Sequence, residues 1–317
     1  MKKNKFLLVG CGYMGIEYAK VLKAMNLKFD VIGRGQKSSN KFLNTQGISV
    51  KSLNLDEFLI SNDEIYSAAI VCVNINQLFK VTKTLIEKNF NKILVEKPAG
   101  IDSKEIKILM NIADKYKSNV YVAYNRRFYV SVKKCLSMLK SQGGISSINF
   151  DFTEIVNKIK KLKLDKEVKK NWLLGNSSHV IDLAFFIAGH PIKMKYISSG
   201  KLTWHLSASK FSGFGITDQN IQFSYHSDWN APGRWGISIL TKKTKILLQP
   251  LEELRIQQHG SFEIKKILIP NEIDEKFKPG LYKMVNEFTK TKIKNIPSIK
   301  EQYLLSKIIC KIGNYSN

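Results

Sequence analysis

Residues 6–15 read Phe6-Leu-Leu-Val-Gly10-Cys-Gly12-Tyr13-Met14-Gly15, a short apolar run that stops at a glycine loop. Beyond the loop Ile16, Tyr18, Ala19, Leu22 and Met25 recur at helical spacing. A strand, GxGxxG and a helix in that order mark a dinucleotide cradle. Gly10 makes the tight turn, and Gly12 lets a pyrophosphate approach the backbone. Gly15 lets helix and strand pack closely, while the helix N-terminus faces the phosphates. Tyr13 and Met14 lie on the same loop and join the cofactor-binding set.

The next strand, Phe29-Asp-Val-Ile32, ends in Gly33-Arg34-Gly-Gln-Lys37-Ser38. An NAD site places a carboxylate at this strand end to hold the ribose hydroxyls. Here Arg34 stands there, and Asp30 falls too early, within the strand. A guanidinium stacks on adenine and pairs with a 2′-phosphate. Arg34, Lys37 and Ser38 therefore predict NADP(H) in preference to NAD(H).

Strands at 68–73, 92–95 and 119–124 alternate with helices through 85 and over 103–116, which predicts a doubly wound parallel sheet. Ligands of such sheets sit beyond the carboxyl ends of the strands. Asn74, Glu96 and Lys97 fall there and complete the expected cofactor neighbourhood. The second half reads as short strands at 145–152, 194–199, 220–227, 235–241 and 244–249. Helices are predicted at 127–140, 177–188, 280–292 and 298–312. The Lys-rich stretch 155–170 reads as a mobile surface connection, and Asn230-Ala-Pro-Gly-Arg234-Trp as a turn that puts Arg234 and its flanking tryptophans at a sheet edge or loop. The chain is thus α/β: residues 1–124 form a dinucleotide-binding Rossmann domain, and 125–317 an α/β domain for substrate binding and oligomerisation.

Composition bounds the partners. The 317 residues are 44% hydrophobic and 24% charged, as in soluble globular proteins. No apolar run approaches the ~20 residues of a membrane span, and the basic start Met1-Lys-Lys-Asn-Lys leads into a strand rather than a signal peptide. The four cysteines (11, 72, 135 and 310) lack metal or disulfide spacing, so a reduced, cytoplasmic setting and no metal are expected. The net charge of +25 raises nucleic acid as a partner. However, the basic residues are almost all lysines spread along the chain, and only positions 34, 126, 127, 234 and 255 are arginine. Base readout and bidentate phosphate contact favour Arg, so no nucleic-acid partner is expected. A charge-driven anion or nucleic-acid binder is kept as a rival.

Three motifs in order, GxGxxG at the N-terminus, Glu96-Lys97-Pro98 after a later strand, and His179-Val-Ile-Asp182, give the chain a resemblance to the glucose–fructose oxidoreductase / inositol dehydrogenase (Gfo/Idh/MocA) family over essentially its whole length. The resemblance implies a C-terminal domain with an open, mostly antiparallel sheet. It also implies NAD(P)-dependent hydride transfer at a hydroxyl or carbonyl carbon of a sugar or sugar derivative, in homodimers or homotetramers. The NSSHVID and WNAPGRWG segments resemble a subgroup linked to surface-glycan sugars, which admits nucleotide-activated or acidic substrates.

Carried over from the family, Lys97 and His179 are the catalytic pair at the nicotinamide. His179 takes the hydroxyl proton, an imidazole titrating near neutral pH, and Lys97 stabilises charge on the reacting oxygen. The peptide before Pro98 is a candidate for cis. Family members commonly carry an Asp four residues before the histidine; here that position is Gly175, which motivates a second rival, a dinucleotide-binding sensor or scaffold without turnover. Asn176 or Ser177 is expected to cap the His179 helix. Asp182 shares a face with His179, as substrate ligand or as structural partner. Arg126, Trp172 and Arg234 are the remaining substrate-binding candidates, with a salt bridge, core packing and stacking as their ordinary alternatives. The substrate partner is a small-molecule sugar.

Overall fold

The computed structural model describes residues 5–315, which divide into two compact units. The first comprises 1–124 together with 276–306, and the second 125–275 with 307–317; the extreme termini lie outside the described residues. The sequence placed everything after 124 in the second domain, so the return of 276–306 to the first unit is a difference.

Five parallel strands form the first unit's sheet, in the order β2 (Lys28–Ile32), β1 (Lys5–Val9), β3 (Ala68–Val71), β4 (Lys92–Glu96) and β5 (Asn119–Ala123). Their near-continuous apolar runs follow from burial on both faces; Leu7, Leu8, Ile70, Val71, Leu94 and Val95 are all fully buried. The helix Ser103–Tyr116 begins as expected, because the Asp102 carboxylate accepts the N–H groups of Lys104 and Glu105. The return segment is bound to the sheet by specific contacts. Phe288 lies edge-on to Phe6 (6.4 Å) and Tyr121 (6.3 Å), the Val122 N–H donates to Pro297 O (2.8 Å), and Gln302 Nε2 donates to Pro98 O (3.0 Å).

The second unit is built on one eight-stranded sheet. Its order is β13 (Ile264–Lys266), β12 (Arg255–Gln258), β11 (Thr244–Leu248), β10 (Gly236–Leu240), β6 (Ser147–Asp151), β9 (Gln222–Asp228), β8 (Lys210–Thr217) and β7 (Pro191–Ser199). All pairs are antiparallel except β6 with β9. Strands β8, β12 and β13 were not expected, and 155–170 folds into two short helices, Val156–Lys161 and Lys166–Lys170. One face carries the apolar helix Ser178–Ala188, whose Phe185 sits edge-on between Phe150 (5.6 Å) and Phe223 (5.2 Å). This aromatic joint sets the height of the helix over the sheet, and therefore of His179.

Trp229, expected at a loop or edge, is instead core. It is fully buried, and its Nε1–H donates to Phe152 O. Beside it (4.8 Å between rings) lies the buried His205. A carbonyl only accepts, so His205 Nδ1–H donates to Ala208 O (2.6 Å); Nε2 then accepts from the Tyr315 hydroxyl (2.7 Å), which in turn accepts the Leu173 N–H (3.0 Å). The neutral imidazole thus ties the chain end to the turn that precedes His179. Among the described residues no helix is long and apolar enough to cross a membrane.

Candidate functional site

In the first unit the glycine loop has the shape a dinucleotide needs. Gly10 lies at φ +118°, and a Cβ there would stand 2.6 Å from Cys72 O; one at Gly15 would stand 2.1 Å from Gly10 O. Both positions therefore exclude side chains. At Gly12 a Cβ would meet nothing within 4 Å, so its side of the loop is open, where a pyrophosphate would approach. Gly12 also caps the helix Tyr13–Ala24, whose first turn holds no acidic residue, leaving the helix's positive end unopposed. These residues fit a dinucleotide. Tyr13 is exposed beside them, and the Lys278 ammonium lies over its ring at 5.2 Å.

At the end of β2 the carboxylate and the cation take different places. Asp30 is spent within the strand: it pairs with Lys5 (2.8 Å) and accepts from the Tyr66 hydroxyl (2.6 Å). Burial alone would raise its pKa, but these two bonds hold it below the usual carboxylate value. Arg34 is exposed, and its Nη2 donates to Gln77 Oε1 (3.3 Å) in the helix Ile75–Glu87, which starts after the exposed Asn74. Lys37 and Ser38 occupy the first turn of the helix Gln36–Gln46. Glu96, expected at the cofactor, accepts the buried Tyr18 hydroxyl (2.8 Å) and so fastens the first helix to β4. Burial pushes its pKa up, against the opposing pull of Tyr18 and Lys97. Lys97 follows at the carboxyl end of β4, half-buried, and the Lys97–Pro98 peptide is cis.

In the second unit the expected cap of the His179 helix is replaced by a different device. The chain is already helical at Trp172 and passes through a wide π-turn, Leu173–Ser177, so Ser177 makes no cap. Its hydroxyl and the Asn176 amide both donate instead to Oε1 of Glu154 (2.7 and 2.9 Å). Sequence reasoning missed Glu154. Its only sequence signal is an acidic side chain two residues past the alternating run that becomes β6. Gly175 offers no carboxylate, and Glu154 brings one to the same turn.

Asp182, read from the sequence as substrate ligand or structural partner, is engaged by a cation. It is buried, and its two oxygens accept from Arg127 Nε (2.8 Å) and Nη2 (2.6 Å); that guanidinium also lies over the Phe186 ring (4.6 Å). A bidentate buried pair of this kind fixes the helix against the 3₁₀ turn Asn125–Phe128. His179 is buried one turn earlier, with its ring 6.2 Å from that of Trp235. The Arg126 guanidinium lies on the same Trp235 ring, 4.8 Å from its centroid.

A cavity of about 310 Å³ gathers the remaining candidates: Arg126, Trp172 and Arg234 line it, together with Glu154 and Asn176. That volume is at the lower end of small-molecule sites. Trp172, half of an edge-on pair with Trp204 (6.2 Å), is both wall and core.

Residues 4–124 match the model of an oxidoreductase family with an NAD-binding Rossmann fold, Gfo/Idh/MocA. The match is confined to this first part of the chain. Comparison of the sequence with curated proteins gives no match. Among solved structures, a dehydrogenase from Chromobacterium violaceum is similar with a TM-score of 0.80 at 13% identity, over 99% of this chain and 95% of that one. The UDP-N-acetylglucosamine 3-dehydrogenase of Acidithiobacillus ferrooxidans gives 0.73 at 11% identity, over 98% and 96%. Levoglucosan dehydrogenase in complex with NADH and levoglucosan gives 0.74 at 14%, over 98% and 96%. At these identities the likeness is one of fold. It runs through both units.

Proposed function

We propose that this chain is an NADP(H)-preferring oxidoreductase acting on a sugar or sugar derivative. The observation that carries the proposal is the pairing, in one Gfo/Idh/MocA-type chain, of an open glycine cradle with a monosaccharide-sized cavity on the turn leading to His179. When bound, the nicotinamide supplies hydride transfer. His179, buried and braced by Trp235, takes or returns the hydroxyl proton of the substrate. Lys97, at the end of β4, donates to the reacting oxygen and stabilises its negative charge. Arg127 and Asp182 hold the His179 helix in place. Arg34, with Lys37 and Ser38, receives the 2′-phosphate; Asp30, the nearest carboxylate along β2, is engaged by Lys5 and Tyr66.

The enzyme is proposed to work in the cytoplasm as a homodimer or homotetramer. Its eight-stranded sheet offers a surface for this, exposing Tyr196 and Ile197 on the edge strand β7 and Phe214 on its neighbour β8. Static light scattering would decide, a monomer at working concentration removing that part.

The first test is a fluorescence titration with NADPH and NADH, repeated on Arg34→Ala. Tighter NADPH binding that Arg34→Ala abolishes supports the cofactor assignment, whereas equal affinities refute it. Sugar-dependent change in nicotinamide absorbance, lost in Lys97→Ala and His179→Ala, tests the chemistry. Binding without any turnover would favour a sensor.

A further inference from the structure

The distribution of arginine singles out the second unit's cavity. The chain has 46 lysines, so a lysine beside any cavity is unremarkable, but it has only five arginines. Three of these are engaged elsewhere: Arg34 with Gln77, Arg127 with Asp182, and Arg255 with Glu253. The other two, Arg126 and Arg234, both line the cavity, with Lys158 beside them. Among the described residues none of these three cations makes an ion pair with a carboxylate. Arg126 lies over the Trp235 ring, 4.8 Å from its centroid, a contact that positions the guanidinium without supplying a counter-anion. Arg234 is exposed directly before that tryptophan.

Two carboxylates line the cavity as well. Glu252 is exposed. Glu154 is buried, with Asn176 and Ser177 both donating to one of its oxygens. A carboxylate has about four acceptor positions, and Glu154 lines the cavity, where a hydroxyl can join Asn176 and Ser177 as a donor to it. Its charge repels a second anion. An anionic group in the cavity is thereby kept away from Glu154 and drawn to the arginines.

We infer that the cavity takes a sugar bearing an anionic group, a carboxylate or a phosphoryl, with Arg126, Arg234 and Lys158 receiving the anion and Glu154 accepting a hydroxyl of the same molecule. This deepens, and rests on, the reading of the chain as a sugar oxidoreductase. The two ends act on one ligand as a ruler: a sugar whose anion and hydroxyl are reversed along its length sets its anion against Glu154 and leaves the arginines without a counter-charge.

Tryptophan fluorescence tests it without nicotinamide, because Trp172 and Trp235 line the cavity. The full-length protein is titrated with D-glucose, D-glucuronate and D-glucose 6-phosphate. One of the two charged sugars should bind at least about tenfold more tightly than glucose, the scale of one charge-assisted contact. Which one does so names the anion. Arg234→Gln, an exposed change, should reduce that preference to within about twofold. In Glu154→Gln the amide oxygen still accepts from Asn176 and Ser177, so the turn is kept. The better charged sugar should nevertheless bind about ten- to hundredfold more weakly, with inorganic phosphate bound no less tightly than by the wild type. Glucose binding as well as both charged sugars, or no binding of any of the three, overturns the inference. So does an unchanged preference in Arg234→Gln, and wild-type affinity in Glu154→Gln reduces that residue to a brace for the turn. A parallel NADPH titration separates the two ideas: NADPH binding without charged-sugar preference sinks only this inference, and the reverse sinks only the cofactor assignment.

Discussion

Acidification should weaken the second unit through one residue, His205. Burial drives its pKa down from 6.5 to about 4, only partly offset by the bond to Ala208. The folded state therefore binds this proton more weakly than the unfolded chain does. The stabilisation is complete above pH 6.5 and is lost as the pH falls toward 4. At about 1.4 kcal/mol for each tenfold change in proton affinity, the full loss is roughly 3 kcal/mol, of which about 2 kcal/mol has gone by pH 5. Protonation also places a second N–H against the Tyr315 hydroxyl, which must turn its own hydrogen away.

The assay is urea unfolding at pH 7.5, 6 and 5, followed by tryptophan fluorescence. All four tryptophans lie in the second unit, so the signal reports it alone. His205→Gln, neutral at every pH, is the reference, since carboxylates titrating in both proteins cancel in the difference. The wild type should lose about 2 kcal/mol more than the variant between pH 7.5 and 5. Parallel losses, within ~0.5 kcal/mol at every pH, would refute the buried neutral imidazole and the latch built on it.

Other outcomes follow from packing and charge. Asp182→Asn removes the anion from a buried bidentate pair and should cost about 3–5 kcal/mol, read by the same unfolding assay; a change below ~1 kcal/mol would mean the pair is solvated. Phe185→Ala should cost about 3–5 kcal/mol and lower turnover through the displaced His179 helix, with NADPH affinity unchanged by titration. Gly15→Ala sets a methyl against Gly10 O and should abolish NADPH binding, whereas Gly12→Ala should weaken it while leaving the thermal midpoint within a few degrees of wild type.

The first unit was largely legible because two local signals agreed: the glycine loop and uninterrupted apolar strands. The second unit was harder. β8, Lys-Phe-Ser-Gly-Phe-Gly-Ile-Thr, has two glycines that read as breaks, yet both are required by packing. A Cβ at Gly215 would stand 2.0 Å from Lys193 O, and one at Gly213 would run into the Tyr225 ring. Strand pairing there overrides intrinsic propensity. Trp229 sits next to turn residues, and only the paired sheet carries it into the core. Glu154 was illegible for a related reason. Its partners, Asn176 and Ser177, are more than twenty residues away and meet it only once the helix has docked on β6. Asp182 looked equally suited to ligand or brace until the fold brought Arg127 beside it.

The return of 276–306 to the first unit bears on how the chain matures. Phe6 and Tyr121 have no Phe288 to cover them, and Val122 no Pro297 carbonyl, until the chain has been made past residue 297. A nascent chain arrested after residue 124 would hold five strands' worth of sequence with an unfinished apolar surface, the kind of species that engages chaperones. The packing of the first unit is then completed only after 276–306 has been made, long after the glycine loop has emerged. Arrested chains should become protease-resistant in this region only when the stall site lies beyond residue 306, and protection at 124 would show that the tail is dispensable.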